Sequence, residues 1–177
     1  SGRGVKLLAG RAWFDVAKDA KRPFHVKVAD VTVTVIGTKF DVGMTERSID
    51  VRLAEGAVRA DYPGQAARDS TLLRPGGHFR FDRSAIRAEV LTVPVESIDA
   101  WRRGKLLIEG ATVAQIVAQL RPYYSGAIIV ADQKIAQRNV TGAFDLSDPA
   151  AALRVIIEPH NGKVRQITPW LLIVSAS

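Results

Sequence analysis

Phe24-His25-Val26-Lys27-Val28-Ala29-Asp30-Val31-Thr32-Val33-Thr34-Val35 is the stretch that decides the fold of the first half of the chain. On each side of Ala29-Asp30 the apolar residues recur at every second position, the spacing of a half-buried strand whose side chains alternate between two faces. Phe24, Val26 and Val28 share one face while His25 and Lys27 take the other, and Val31, Val33 and Val35 alternate with Thr32 and Thr34. The same period continues outward in Ile49, Val51 and Leu53 and in Phe79 and Phe81. Turn signals separate the runs: Arg22-Pro23, Ile36-Gly37-Thr38, Glu55-Gly56, Tyr62-Pro63-Gly64 and Arg74-Pro75-Gly76-Gly77. Many short strands at this spacing predict an all-β sandwich, roll or stacked-strand domain.

The pattern changes at Val95-Glu96-Ser97-Ile98-Asp99-Ala100-Trp101, which reads as a short amphipathic turn or helix leading out of the β domain. Beyond it, Leu106-Leu107-Ile108 reads as a strand. Thr112-Val113-Ala114-Gln115 has the form of a capping box, in which the threonine hydroxyl accepts from an early helix amide and the glutamine reaches back to the cap. Val113, Ile116, Val117 and Leu120 follow at helical spacing up to Arg121-Pro122. Strands are expected at Ala127 to Val130 and Asn139 to Phe144. Asp148-Pro149 then supplies an N-cap and a first-turn proline for a helix buried through Leu153, Ile156 and Ile157 and stopped near Glu158-Pro159. Lys163 to Ile167 and Trp170 to Val174 read as a closing strand pair around Thr168-Pro169. The predicted class is α+β: an all-β domain over 1–95, a linker or short helix over 96–104 and a βαβ-βαββ module over 105–177.

Composition limits the function classes. The 177 residues carry a formal charge of +7 and no cysteine, which excludes disulfides, thiolate zinc sites and cysteine nucleophiles. Lys and Arg exceed Asp and Glu by 16 to 13 up to residue 100 and by 9 to 5 after it, so the excess is spread out. A nucleic-acid binder would concentrate it on a stripe interleaved with aromatics. No apolar run is long enough to span a bilayer and no signal-peptide pattern is present. The chain opens on Ser1-Gly2 rather than Met and reads as a piece of a longer protein.

Catalytic groups are sparse. His25, His78 and His160 fall in no metal or triad motif, and each reads as a surface or turn histidine. No phosphate-cradling glycine motif occurs, and Asp132, Asp145 and Asp148 lack the ligand alternation of a calcium loop, so no catalytic residue, cofactor or metal is expected. Asp41, Asp50 and Glu55 are the carboxylates a carbohydrate-active rival would use, and nothing in their spacing brings them together. Trp170-Leu171-Leu172-Ile173-Val174 is apolar on both faces of its predicted strand, as is Ile128-Ile129. Such strands are either covered on both sides or await a partner.

Gly10-Arg11-Ala12-Trp13-Phe14-Asp15-Val16, Arg22-Pro23-Phe24-His25-Val26, Val35-Ile36-Gly37-Thr38-Lys39-Phe40-Asp41-Val42, Leu53-Ala54-Glu55-Gly56-Ala57-Val58 and Leu73-Arg74-Pro75-Gly76-Gly77 resemble, in order, the short motifs of the FecR family. In that ladder Trp13, Phe14, Phe24, Phe40 and Val58 are expected to fill the β core. From Trp101-Arg102-Arg103-Gly104-Lys105-Leu106 onward, the chain resembles the small domain that follows in the family, itself similar to the short N-terminal domain of secretins and TonB-dependent receptors. The resemblance implies the periplasmic region of a single-pass inner-membrane anti-sigma factor in cell-surface signalling. It would bind the signalling domain of an outer-membrane TonB-dependent siderophore transporter and regulate iron transport through a sigma factor held by a cytoplasmic segment outside this sequence.

The expected activity is therefore protein-protein interaction rather than catalysis, by strand addition or apolar packing, with Leu106, Ile108, Ile128, Ile129, Trp170, Leu172 and Val174 as contact candidates. Arg138, with Arg102 and Arg103, would supply a basic rim. The rival reading is a self-associating, secretin-like envelope-assembly module.

Overall fold

The structure, a computed structural model, describes residues 3–64 and 68–176, and the chain folds as two compact units that divide between Asp99 and Ala100. The first unit carries β1 (Arg3–Leu7), β2 (Gly10–Val16), β3 (Phe24–Val28), β4 (Val31–Val35), β5 (Thr38–Met44), β6 (Ser48–Glu55), β7 (Val58–Pro63), β8 (Arg68–Leu73), β9 (Gly77–Asp82), β10 (Arg87–Thr92) and the one-turn helix α1 (Val95–Ile98). They form two five-stranded sheets, ordered β1-β3-β4-β7-β8 and β10-β9-β6-β5-β2. All neighbours are antiparallel except β1 and β3.

Period-two patterning is what makes this a sandwich. Val26, Val28, Val31, Val33, Val35, Val58 and Ala60 line the inner face of one sheet, and Phe40, Val42, Ile49, Val51, Leu53, Phe79 and Phe81 that of the other, in a single buried cluster. Phe14 to Phe24 and Tyr62 to Phe79, with ring centroids 6.2 and 5.1 Å apart, join the sheets across the core. Fully burying one such aliphatic or aromatic side chain contributes roughly 1.5–3 kcal/mol. The two-residue turn Ala29-Asp30 closes β3 on β4, with Ala29 at φ 47°. Gly56 is required where it stands: its φ is 94°, and a Cβ there would lie 2.6 Å from the carbonyl oxygen of Gly37.

The second unit contains a 3-10 turn at Ala100–Arg103, β11 (Lys105–Thr112), α2 (Val113–Leu120), β12 (Ala127–Val130), α3 (Gln133–Ala136), β13 (Asn139–Asp145), α4 (Pro149–Ile157), β14 (Gly162–Thr168) and β15 (Leu171–Ala176). β11 pairs with β13 in a two-stranded antiparallel sheet, while β12, β15 and β14 form a three-stranded sheet in that order. In the latter, β12 runs parallel and β14 antiparallel to β15. Helices α2 and α4 and both sheets share one core: Leu106 and Ile108 from β11, Val113, Ile116, Val117 and Leu120 from α2, Leu153, Ile156 and Ile157 from α4, and Ile128, Leu172 and Val174 from the larger sheet. The capping box forms as its residues require, Thr112 Oγ1 accepting from the Gln115 amide and Gln115 Oε1 from the Thr112 amide. Asp148 caps α4 by accepting from the Ala151 amide, with Pro149 in the first turn. The chain is thus α+β, with strands predominating.

Three expectations are corrected. Trp13 does not join the β core: it alternates with Phe14 on β2 and stands opposite Asp41, on the outer face of its sheet. His78 is not a surface or turn histidine. It lies within β9, is 5% exposed and faces away from Phe79 and Phe81. Trp170 belongs to the turn before β15 rather than to the strand, because the register of β14 against β15 shifts between Gln166 and Thr168 and leaves Thr168 opposite Leu171. The short helix α3, capped by Asp132, adds an element that the sequence pattern does not announce.

Candidate partner-binding surface

Two features of the molecule exceed what the cores require, and each belongs to one unit. In the first unit, the outer face of the sheet β10-β9-β6-β5-β2 carries a buried ionic network. The alternation that turns Phe40 and Val42 inward turns Asp41 outward, and it does the same for Asp50 and Arg52 on β6 and for His78 and Arg80 on β9. Asp41 is fully buried and Asp50 is 7% exposed. Arg11 on β2 pairs with one oxygen of Asp41, and Arg52 donates to the other at 3.1 Å. Asp50 Oδ1 accepts from His78 Nε2 at 2.7 Å and from Arg80 Nε at 2.9 Å, with Arg52 at 3.6 Å. Its Oδ2 accepts from the Ser48 hydroxyl at 3.0 Å. The second arm of Arg11 reaches the carbonyl of Ile98 at 3.4 Å, so the network also holds the end of α1, which packs against β6 with Ile98 fully buried.

Burial by itself would raise the Asp50 carboxyl. The His78 hydrogen bond and the Arg52 and Arg80 charges outweigh it and hold the group well below the usual carboxylate range. Burial is also the larger influence on His78, pushing the ring below its ordinary value against the hydrogen bond to Asp50. The site is a satisfied charge lattice across four strands. Its carboxylates are occupied by guanidinium groups, and among the described residues the side chain bonded to the His78 ring is Asp50. Glu55, the third carboxylate of the sugar-cleaving rival, stands apart and exposed, paired with Lys39. No group of three potential metal-binding side chains occurs among the described residues.

In the second unit the contact candidates separate by face. Leu106, Ile108, Ile128, Leu172 and Val174 are 0–6% exposed, their side chains taken by the core around α2 and α4. A surface contact through those side chains is ruled out while the unit stays folded. The reason is that each sheet turns one face into the core it shares with α2 and α4. Ile129 and Trp170 remain outside at 48% and 64% exposed, and Arg138 is exposed just before β13. Register brings Ile129 level with Ile173 on β15 and Arg165 on β14, in one row across the outer face of the larger sheet. Leu171 and Ile173 are half-buried there without joining the core, and Ile167, on the same face, is 56% exposed. Lys163, Arg165, Ile167, Leu171 and Ile173 were not among the candidates. Their signal was the alternation itself, once the inner partners Val164, Leu172 and Val174 are assigned.

Residues 1–59 match the model of the FecR protein family. Two crystal structures of a candidate anti-sigma factor from Parabacteroides distasonis ATCC 8503, at 1.65 and 2.50 Å resolution, share the fold with TM-scores of 0.83 and 0.81. They are 19% and 20% identical in sequence, and the match covers 98% and 99% of this chain and 80% of each of theirs. No curated protein matches by sequence.

Proposed function

From the match of residues 1–59 to the model of the FecR protein family, we propose that this chain is the protein-binding relay of a sigma-factor regulator in the cell envelope. The family match is the observation that carries the reading, and the fold shared with a candidate anti-sigma factor over nearly the whole chain supports it. In this reading the β sandwich is a rigid platform, stiffened by its buried ionic network. The second unit, whose sequence resembles the short N-terminal domain of secretins and TonB-dependent receptors, docks the signalling domain of an outer-membrane TonB-dependent siderophore transporter. The chain lies in the periplasm and belongs to a single-pass inner-membrane protein whose cytoplasmic segment holds the sigma factor. No helix among the described residues is long and apolar enough to cross a membrane, so the anchor would lie outside them.

Calorimetric titration of this chain with the isolated signalling domain of the cognate transporter tests the reading. One-to-one saturable binding with a negative heat-capacity change, the mark of apolar burial, is the expected result. A matched, folded partner that produces no heat at any temperature would remove it. Rings or higher oligomers in sedimentation at rising concentration would favour the self-assembling secretin-like module instead.

A further inference from the structure

The outer face of the sheet β12-β15-β14 is an apolar strip with positive charge on one side only. Across it run Ile129, Ile173 and Arg165 in register, with Ile167 beside them and Lys163 two residues before Arg165 on the same face. None of the three strands contains an acidic residue, and among the described residues neither Lys163 nor Arg165 forms an ion pair. At the end of the strip the turn before β15 carries Trp170, 64% exposed. Its backbone is held firmly. The Ala127 amide donates to the Trp170 carbonyl at 2.7 Å, the Trp170 amide to Thr168 Oγ1 at 3.3 Å and the Tyr124 hydroxyl to the Pro169 carbonyl at 3.0 Å. The approach of Gly126 is so close that a Cβ there would overlap the Trp170 carbonyl. An exposed tryptophan on an immobilised turn loses little backbone freedom on binding, which is the condition under which such a residue becomes an interface anchor.

We propose that this face is the docking surface for a protein whose apolar contact patch is bordered by carboxylates, with Trp170 as the anchor, Ile129, Ile167 and Ile173 as the apolar strip, and Arg165 and Lys163 pairing with the partner's acidic side chains. The assignment rests on the functional reading above and narrows it to one face. Charge decides against a second copy of this chain as the occupant. Two such faces brought together would oppose Lys163 and Arg165 with their own kind and offer them no carboxylate, in a half of the molecule where 9 Lys and Arg already outnumber 5 Asp and Glu. An acidic partner satisfies the guanidinium with paired hydrogen bonds, and the aliphatic row beside it excludes water.

The experiment titrates the transporter's isolated signalling domain into the full chain and into Trp170→Ala, Ile129→Glu, Arg165→Glu and, as a charge-matched control, Arg154→Glu on the exposed side of α4. All of these positions are exposed, and circular dichroism and thermal melting establish that each variant is folded. Trp170→Ala and Ile129→Glu should each weaken binding by about tenfold or more. Arg165→Glu should weaken it and flatten its salt dependence, while Arg154→Glu stays within about twofold of the unaltered chain. If the unaltered chain binds and the three variants bind as well as it does, the docking face is wrong and the relay reading stands. If the unaltered chain does not bind, the relay reading falls and this occupant with it. A concentration-dependent dimer that Ile129→Glu converts to monomer would assign the face to a second copy and overturn the proposal.

Discussion

Replacing Asp50 by asparagine isolates the contribution of the buried ionic network. The side chain is 10% exposed and is held by His78, Arg80, Arg52 and Ser48. Removing one partner of a buried ion pair costs roughly 3–5 kcal/mol, because the remaining charges stay desolvated without their complement. Two details place Asp50→Asn at the lower end. Arg52 keeps Asp41 at 3.1 Å, and the Arg80 side chain, 38% exposed, can turn to water. A loss of about 3 kcal/mol divided by a urea slope of about 1.5 kcal/mol/M moves the unfolding midpoint by about 2 M. The assay is urea titration followed by tryptophan fluorescence, for which Trp13 on the same sheet face is a local reporter. Lys39→Ala provides the contrast, since its partner Glu55 is 69% exposed and the midpoint should stay within error. A shift below about 0.5 M for Asp50→Asn with an unchanged slope would refute the reasoning and mean that the network contributes no more than a surface pair.

Acid should weaken the first unit in two stages. Burial holds folded His78 below the ordinary histidine value near 6.5, so as pH falls through that value the unfolded chain takes up a proton that the native state refuses. Asp50, also lowered in the fold, contributes stability that is present above about pH 4 and is lost as pH falls further. Urea midpoints at pH 7.5, 5.5 and 3.5 should therefore descend in steps, with His78→Gln flattening the upper one. An unchanged upper step in that variant would assign it to another group. In the second unit, Thr112→Ala removes the acceptor for the Gln115 amide and should cost about 1 kcal/mol. Hydrogen exchange would detect this as loss of protection at the first amides of α2, with the strands of the first unit unchanged.

How much of this was legible beforehand depended on how local the cause was. Period-two runs such as Val31, Val33 and Val35 declare a strand because alternation is a property of the backbone pleat, and β4 spans those residues. The cap at Thr112 and the proline start at Pro149 are likewise satisfied within one helical turn, and α2 and α4 begin there. The motif ladder puts Trp13 and Phe14 in one core although neighbours on a strand face opposite ways, and His78 is buried on an outer face because alternation states that a second face exists without stating what covers it. The binding candidates were uneven for the same reason. Ile128 and Ile129 are chemically alike, and only the side of the sheet on which α2 and α4 lie makes one core and the other surface.

The amino-acid sequence by itself determined the strand-rich first half, the capped helices of the second and the resemblance of the short motifs between Gly10 and Gly77 to the FecR family, since each rests on neighbours a few positions apart. Tertiary structure alone decided that Asp41, Asp50, Arg11, Arg52, His78 and Arg80 form one network. Arg11 and Asp41, His78 and Asp50, and Arg80 and Asp50 are separated by 28 to 30 residues on different strands, and only sheet register brings them within hydrogen-bonding reach. It also decided that Ile129, Ile173 and Arg165 form one row. A strand pattern specifies which side chains share a face, while pairing across strands specifies which faces become a surface.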